Sequence, residues 1–344
     1  MKVAISIGGS APVDIMSQIE FAICADEMGV DTVWSAEGWG EDAVTSLTFL
    51  AARTKRIKLG AGIMQISARV PTMTAMTARA ISNLSVGRFL LGLGVSGPQV
   101  VEGLHSVRYN QPLTRLRENV EIIRQTFSGA KVVYQGKHYQ IPLDNSEGKS
   151  IRVQKPMYSI PIYLATISPR ALEYTGRVAD GWLGASFSPD FSDAHFEHIR
   201  RGAEAAGRKF EDIEIHVPCS IAIDDDWTAS IEKRRSEVAF SLGAMGSKKT
   251  NFYNDAYARA GFGEEASRVQ SHWIQGRHEE AVSNVTDAMV TKFSAIGDKR
   301  EVQARLQCYK NAGVDVLVLR FLTDDNSSRV TMLEQVLEMT ADLV

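Results

Sequence analysis

The sequence predicts an α/β protein of the (β/α)8 TIM-barrel class, with one insertion ahead of its last strand. Three observations carry this. Eight short β-branched or apolar runs recur along the chain, and stretches with helical period separate most of them. The length of 344 residues suits a barrel, which spans about 200 to over 400 residues as one domain. Strand-then-helix alternation favours parallel pairing with the helices outside.

In order, the expected strands are Val3–Ile7, Thr32–Ser35, Ile57–Gly62, Phe89–Leu93, Pro161–Leu164, Gly181–Gly184, Ile213–Ile223 and Asp315–Phe321. Helical stripes follow from Ile15, Ile19, Ala22, Ile23 and Met28, from Leu47, Leu50 and Ala51, and from Val120, Ile123 and Phe127. Pro71 and Pro169 stand at helix starts, where the missing N–H would have no partner in any case. Met28-Gly29-Val30-Asp31 and Ala312-Gly313-Val314-Asp315 each read as a helix C-cap running into a strand. Val132–Ile141 reads as a hairpin around Gln135-Gly136-Lys137. Residues 224–297 read as a helical, charge-rich insertion between strands seven and eight. No Pro/Gly/Ser linker sets the insertion apart, so residues 1–344 are expected to form one domain.

Composition narrows the function. Lys plus Arg total 38 against 41 acids, a net charge of −3, which is no footprint for nucleic acid or an anionic membrane. Cys24, Cys219 and Cys308 lie far apart and form no CxxC pair, which argues against a disulfide framework and for small apolar packing. No apolar run approaches the roughly 18 residues of a membrane span. The N-terminal MKVAISIGGSAPVDI is too soon interrupted by Gly8-Gly9 for a signal peptide. These features predict a cytoplasmic protein.

Gly92-Leu-Gly94-Val-Ser-Gly97 matches GxGxxG, but a dinucleotide site needs a helix opening directly within it. Pro98 follows at once, and the next clear helical period starts near Thr114. The string reads instead as a glycine-rich strand end where backbone N–H groups approach an anion, with a merely tight turn as the alternative. Thr166-Ile-Ser168-Pro169-Arg170 offers hydroxyls, helix N-terminal donors and a cation, which is phosphate chemistry, with a solvated polar loop as the alternative. Arg320 and Thr323 close the eighth strand, where barrel sites form. His195 and His198 lack a third metal ligand and read as a surface helix, so no metal is expected. Asp224-Asp225-Asp226 reads as a turn. Glu37, Asp42, Glu102 and His105 are the candidate proton donors, with a solvated or structural role as the alternative for each. In the insertion, Lys248-Lys249, Arg259, His272-Trp273 and Arg277 read as a solvated face or a contact to an anionic ligand.

The stretches IKLGAGIMQISARVP and LSVGRFLLGLGVSGPQVVEG resemble the luciferase-like monooxygenase superfamily, and within it the branch using the deazaflavin coenzyme F420. VWSAEGWGEDA and LATISPRALEYTGRVADGW extend the likeness along nearly the whole chain. The resemblance implies a luciferase-like barrel with its insertion between strands seven and eight, a homodimer, and a cofactor pocket on the C-terminal face. It implies a non-prolyl cis peptide at Gly62-Ile63 propping the deazaflavin, with Met64 and Gln65 flanking the ring. It places Gly94, Val95, Ser96 and Gly97 near the ribityl chain and phosphate, and Ala165, Thr166, Ile167, Ser168 and Pro169 in a second phosphate-side loop. Glu37 becomes the expected proton handler, and Trp39 a stacking partner for substrate or cofactor. The Asp-His pair of sugar-phosphate dehydrogenases in this branch is replaced by Glu37 and Gly38, and their strand-four acid by Pro98, which speaks against sugar oxidation by that route. The implied activity is hydride transfer between F420 and an organic substrate. The alternatives are an FMN-dependent monooxygenase and a non-catalytic cofactor-binding barrel.

Overall fold

A computed structural model describes residues 1–8, 14–245 and 250–343; the basic pair Lys248-Lys249 lies outside the described residues. Eight parallel strands close into a barrel: β1 (Lys2–Gly8), β2 (Thr32–Ala36), β3 (Lys58–Ala61), β4 (Phe89–Gly94), β5 (Ile162–Ala165), β6 (Gly181–Leu183), β7 (Glu214–Ile223) and β8 (Val316–Phe321). Each pairs with the next, and β8 returns to β1. The main outer helices are α1 (Ile15–Met28), α2 (Ala43–Arg53), α3 (Pro71–Leu84), α4 (Pro112–Phe127), α5 (Pro169–Val178), α6 (Asp193–Glu204), α7 (Lys299–Asn311) and α8 (Asn326–Ala341). None of the described helices is long and apolar enough to cross a membrane.

Local chemistry sets the boundaries. Asp14 and Asp42 accept backbone N–H groups of the first turns of α1 and α2. Pro71 and Pro169 open α3 and α5, as the sequence predicts. Gly29 and Gly313 take positive φ just beyond α1 and α7, which only glycine adopts freely. Arg88 fastens the underside: its guanidinium donates to carbonyls of Ala51, Thr54 and Ile57 at 2.7–3.2 Å, covering the open end of α2. The Ser85–Phe89 part of the family-like string is therefore structural, and only its other end reaches the mouth. The expected hairpin forms, with Tyr134–Gln135 antiparallel to Gln140–Ile141.

Side-chain alternation sorts the barrel into two layers. Ile5, Val33, Leu59, Leu91, Leu164, Val217 and Leu317 face the helices, while Ala4, Trp34, Leu90, Tyr163, Val316 and Val318 fill the lumen. The lumen floor is a polar aromatic plug. Trp34 Nε1 donates to His216 Nδ1 at 3.2 Å, which leaves His216 Nε2 to donate to Glu214 at 3.0 Å. Tyr163 and Lys2 donate to the same carboxylate. The hydrogen bond from His216, ahead of those from Tyr163 and Lys2, holds the Glu214 carboxyl far below the usual range. The plug closes the lumen from below.

Three expectations change. The insertion is not helical to its end: Ser294–Gly297 is a strand, paired in parallel with residues 220–223 of β7. It occupies the edge that β6, only three residues long, leaves empty above His216. Its helices gather around their own core, including Val238, Leu242, Tyr257, Val269 and Phe293. Cys308 is exposed rather than packed; Cys219 is buried and all three thiols are free.

His195 is not on a surface face. It is 2% exposed, against Trp182 and Phe187, because it shares the apolar stripe of α6 with Phe196, Ile199 and Ala203. Burial, aided by Arg259 and His198, lowers its pKa to about 3. The folded state thus keeps it neutral while the unfolded chain takes up a proton below about pH 6.5. The unfolded state binds more protons between those values, so stability is lost as pH falls through this window. His195 is expected to make the protein about 2 kcal/mol less stable at pH 5 than at pH 7.5. Urea unfolding at both pH values checks this: His195→Phe should lose that share of the difference, and an unchanged difference would refute it.

Candidate active site at the barrel mouth

The C-terminal mouth is lined by what the alternation places above the plug. Lumen-facing positions there are Ser6 and Gly8 on β1, Ala36 on β2, Gly62 just beyond β3, Gly94 on β4, Ala165 on β5 and Ser220 on β7. Seven small residues from six strands line this layer. Arg320 on β8 is the one charged side chain of this layer among the described residues.

The β3 edge is built around an interruption. The ladder to β4 runs through Leu59 and Gly60, breaks, and resumes at Met64–Gln65 opposite Leu93 and Gly94. The break contains the cis peptide Gly62-Ile63 that the resemblance implied. Two glycines of β4 make room for it: a Cβ on Gly92 would overlap the Ala61 carbonyl oxygen, and one on Gly94 would overlap Ile63 Cδ1. Gly92 and Gly94 are thus glycines because a neighbouring strand bulges over them, a reason different from close approach to a phosphate. Ile63 is left partly exposed at the mouth.

The structure brings the expected residues to one end of the barrel but gives several of them other tasks. Met64 is 1% exposed and packs into the outer core, so only its backbone faces the mouth. Gln65, 4% exposed, is bound to Glu37 through both its backbone N–H and its side-chain amide, at 3.3 and 3.1 Å, while its Oε1 has no partner. Both oxygens of Glu37 are engaged by Arg69, at 2.7 and 2.8 Å. Glu37 also accepts from the backbone of Ala43 at 3.4 Å. A carboxylate tied in this way fixes the loop after β2 to the segment after the cis bond, and neither oxygen is open for a proton handler's task. Trp39 stands 49% exposed in the same loop. Asp42 is spent on the α2 cap, which lowers its pKa against the effect of burial, and Glu102 on the Tyr109 backbone N–H. His105 keeps a buried Nε2 without a partner.

At β4, Ser96 takes a positive φ of 59° and Gly97 caps a short helix, Pro98–Gly103. This helix corrects the expectation of no helix before Thr114: proline at N1 starts it directly. Val95 packs partly against the outer core. At β5, Thr166 turns inward, its hydroxyl bonded to that of Thr175 and its carbonyl to Trp182 Nε1. Ser168 precedes Pro169 at the start of α5 with no capping bond, leaving its hydroxyl open. The Ile167 carbonyl accepts from Arg259 of the insertion at 2.9 Å, and Arg259 Nε is buried without a partner. Ala165, Ile167, Ser168 and Pro169 are all partly exposed there. An open hydroxyl, a helix N-terminus and an unsatisfied guanidinium donor suit an anionic tail, and the small-residue mouth suits a flat ring. Arg69 and the small-residue ring escaped the sequence reading; the ring's signal is the run of Gly, Ala and Ser at alternate positions of successive strand ends.

The profile of the luciferase-like monooxygenase family matches residues 2–316. A protein of Mycobacterium tuberculosis provisionally named a coenzyme F420-dependent oxidoreductase is 34% identical over 328 residues, covering 93% of this chain and 94% of that one. The 5,10-methylenetetrahydromethanopterin reductase of Methanolobus tindarius is 28% identical, covering 88% of this chain and 90% of its own. The solved coenzyme F420-dependent tetrahydromethanopterin reductase of Methanopyrus kandleri superposes with a TM-score of 0.79 at 24% identity, covering 98% of this chain and 99% of that chain. The chain belongs to the luciferase-like monooxygenase family of oxidoreductases.

Proposed function

We propose that this protein is an F420-dependent oxidoreductase that moves a hydride between the deazaflavin and a small organic substrate. The observation that carries the reading is the small-residue mouth beside the Gly62-Ile63 bulge, in a chain whose relatives include proteins named for F420. When bound, the deazaflavin supplies two-electron hydride chemistry. The protein supplies position and a sheltered pocket. Ile63 and the Gly62 backbone would support one face of the ring, and Gly94 makes room for the Ile63 side chain. Gln65, Glu37 and Arg69 hold that support in place. Ser168, the backbone at the start of α5 and Arg259 receive the anionic tail. In this reading Glu37 is a positioning residue, and Trp39 is free to cover a bound substrate.

Titration of the purified protein with F420 and, separately, with FMN tests the proposal, following fluorescence of each ligand. F420 is expected to bind at least about tenfold more tightly, a difference of about 1.4 kcal/mol. A preference for FMN would instead favour the monooxygenase reading, with oxygen uptake as the next assay. Binding of neither would overturn the pocket itself.

A further inference from the structure

We propose that Arg320 is an anion receptor in the half of the mouth opposite the cofactor, so that the substrate is an organic anion, a carboxylate or a phosphate ester. The proposal rests on the hydride-transfer reading of the mouth and deepens it by assigning a substrate class.

Position comes first. Val316 and Val318 point into the lumen, and Arg320 is the next residue in that row. Its pairing with Ser220 sets it at the level of the mouth. The strands around it contribute glycine, alanine or serine at this layer, so a long cation here fills space that the rest of the barrel leaves clear. That residue choice is costly for packing alone, because a guanidinium gives up hydration on entering a cleft.

Arg320 is also unspent. Among the described residues no hydrogen bond or ion pair reaches its guanidinium. The neighbouring Arg234 differs: it donates to Ser294 Oγ at 3.2 Å and pairs with Glu237 at 3.0 Å. Tyr253 of the insertion stands close enough to interact with Arg320. Solvent reaches the Arg320 side chain, yet crowding by protein, with Arg234 beside it, lowers its pKa. Both hold for a group on the floor of a cleft. A planar fork of N–H donors in such a place matches carboxylate or phosphate oxygens two at a time.

Strand order assigns this fork to the substrate rather than the cofactor. The bulge after β3, the Gly94 loop and the Ser168 loop lie on three consecutive strands. From β3 the wall reaches β8 only through β2 and β1, and from β5 only through β6 and β7. A ring resting on the bulge therefore presents its open face toward β8 and the insertion.

Thermal unfolding of the full-length protein at constant ionic strength, titrated with sodium benzoate, inorganic phosphate and uncharged benzyl alcohol, tests the proposal. At least one anion should stabilise saturably and benzyl alcohol should not. Arg320→Gln should weaken the anion response about tenfold or more, with Arg320→Lys intermediate, since an ammonium keeps the charge but not the fork. F420 titration of the same variants should stay within about threefold of the parent protein, because the assignment leaves the cofactor half untouched. The proposal is overturned if neither anion acts on the parent protein, if Arg320→Gln responds like it, or if Arg320→Gln selectively loses F420. An anion response that survives while F420 fails to bind the parent would sink the hydride-transfer reading and leave the anion receptor standing.

Discussion

Replacing Arg69 with alanine is expected to destabilise the protein by about 3 kcal/mol, although Arg69 lies in the connection between the β3 bulge and α3. The reason lies in its partner. The Glu37 side chain is 8% exposed and faces a two-point contact with the guanidinium. Removal of the cation leaves a buried carboxylate with only two long backbone donors, from Gln65 and Ala43, and uncompensated buried charges of this kind cost about 3–5 kcal/mol. Arg69 is itself 21% exposed, so solvent softens the loss toward the lower figure. The double variant Glu37→Gln with Arg69→Ala removes the stranded charge and should recover part of the stability. Chemical denaturation of the two single variants and the double closes the cycle. Strict additivity would mean that the pair is not coupled and would remove the clamp from the account of the mouth.

A larger effect is expected for Gly92→Ala, the smallest possible change. The added methyl would fall on the backbone carbonyl oxygen of Ala61 and within 2.9 Å of Leu183 Cδ1. A side chain can rotate out of the way, but the Ala61 carbonyl belongs to the strand that bulges at Gly62-Ile63. Moving it separates β3 from β4 on both sides of the break. A loss of about 4 kcal/mol or more, or failure to accumulate folded protein, is the expected result. A midpoint of denaturation shifted by less than about 1 kcal/mol would show that the bulge is compliant. Gly94→Ala should be milder for the fold, since it meets only the flexible end of Ile63.

These glycines show which part of the site was legible in the sequence and which was not. The strand containing Gly92 and Gly94 was visible from its apolar run, and the loop after it from its composition. The reason for each glycine was not, because it lies in a neighbouring strand and depends on register. The same holds for Glu37. Its placement after β2 could be read, but Arg69 stands 32 positions away and only the bulge brings them together. His195 was misread although its stripe was local: Phe196, Ile199 and Ala203 share its face, and the polarity of one residue outweighed the periodicity of the rest. The strand Ser294–Gly297 escaped for another reason. Four residues with one β-branched member carry little strand signal, and what makes them a strand is the empty edge beside β7.

The chain leaves β7 after Ile223 and comes back to pair with residues 220–223 of the same strand. The seventy residues between are hung from two adjacent footholds, with a core of their own. Lengthening or replacing such an excursion changes the closure entropy only slowly and does not ask any barrel strand to move. The wall beneath can stay fixed while the canopy over the mouth is exchanged. Barrel and insertion can then change separately, with the border between them at Ile223 and Ser294.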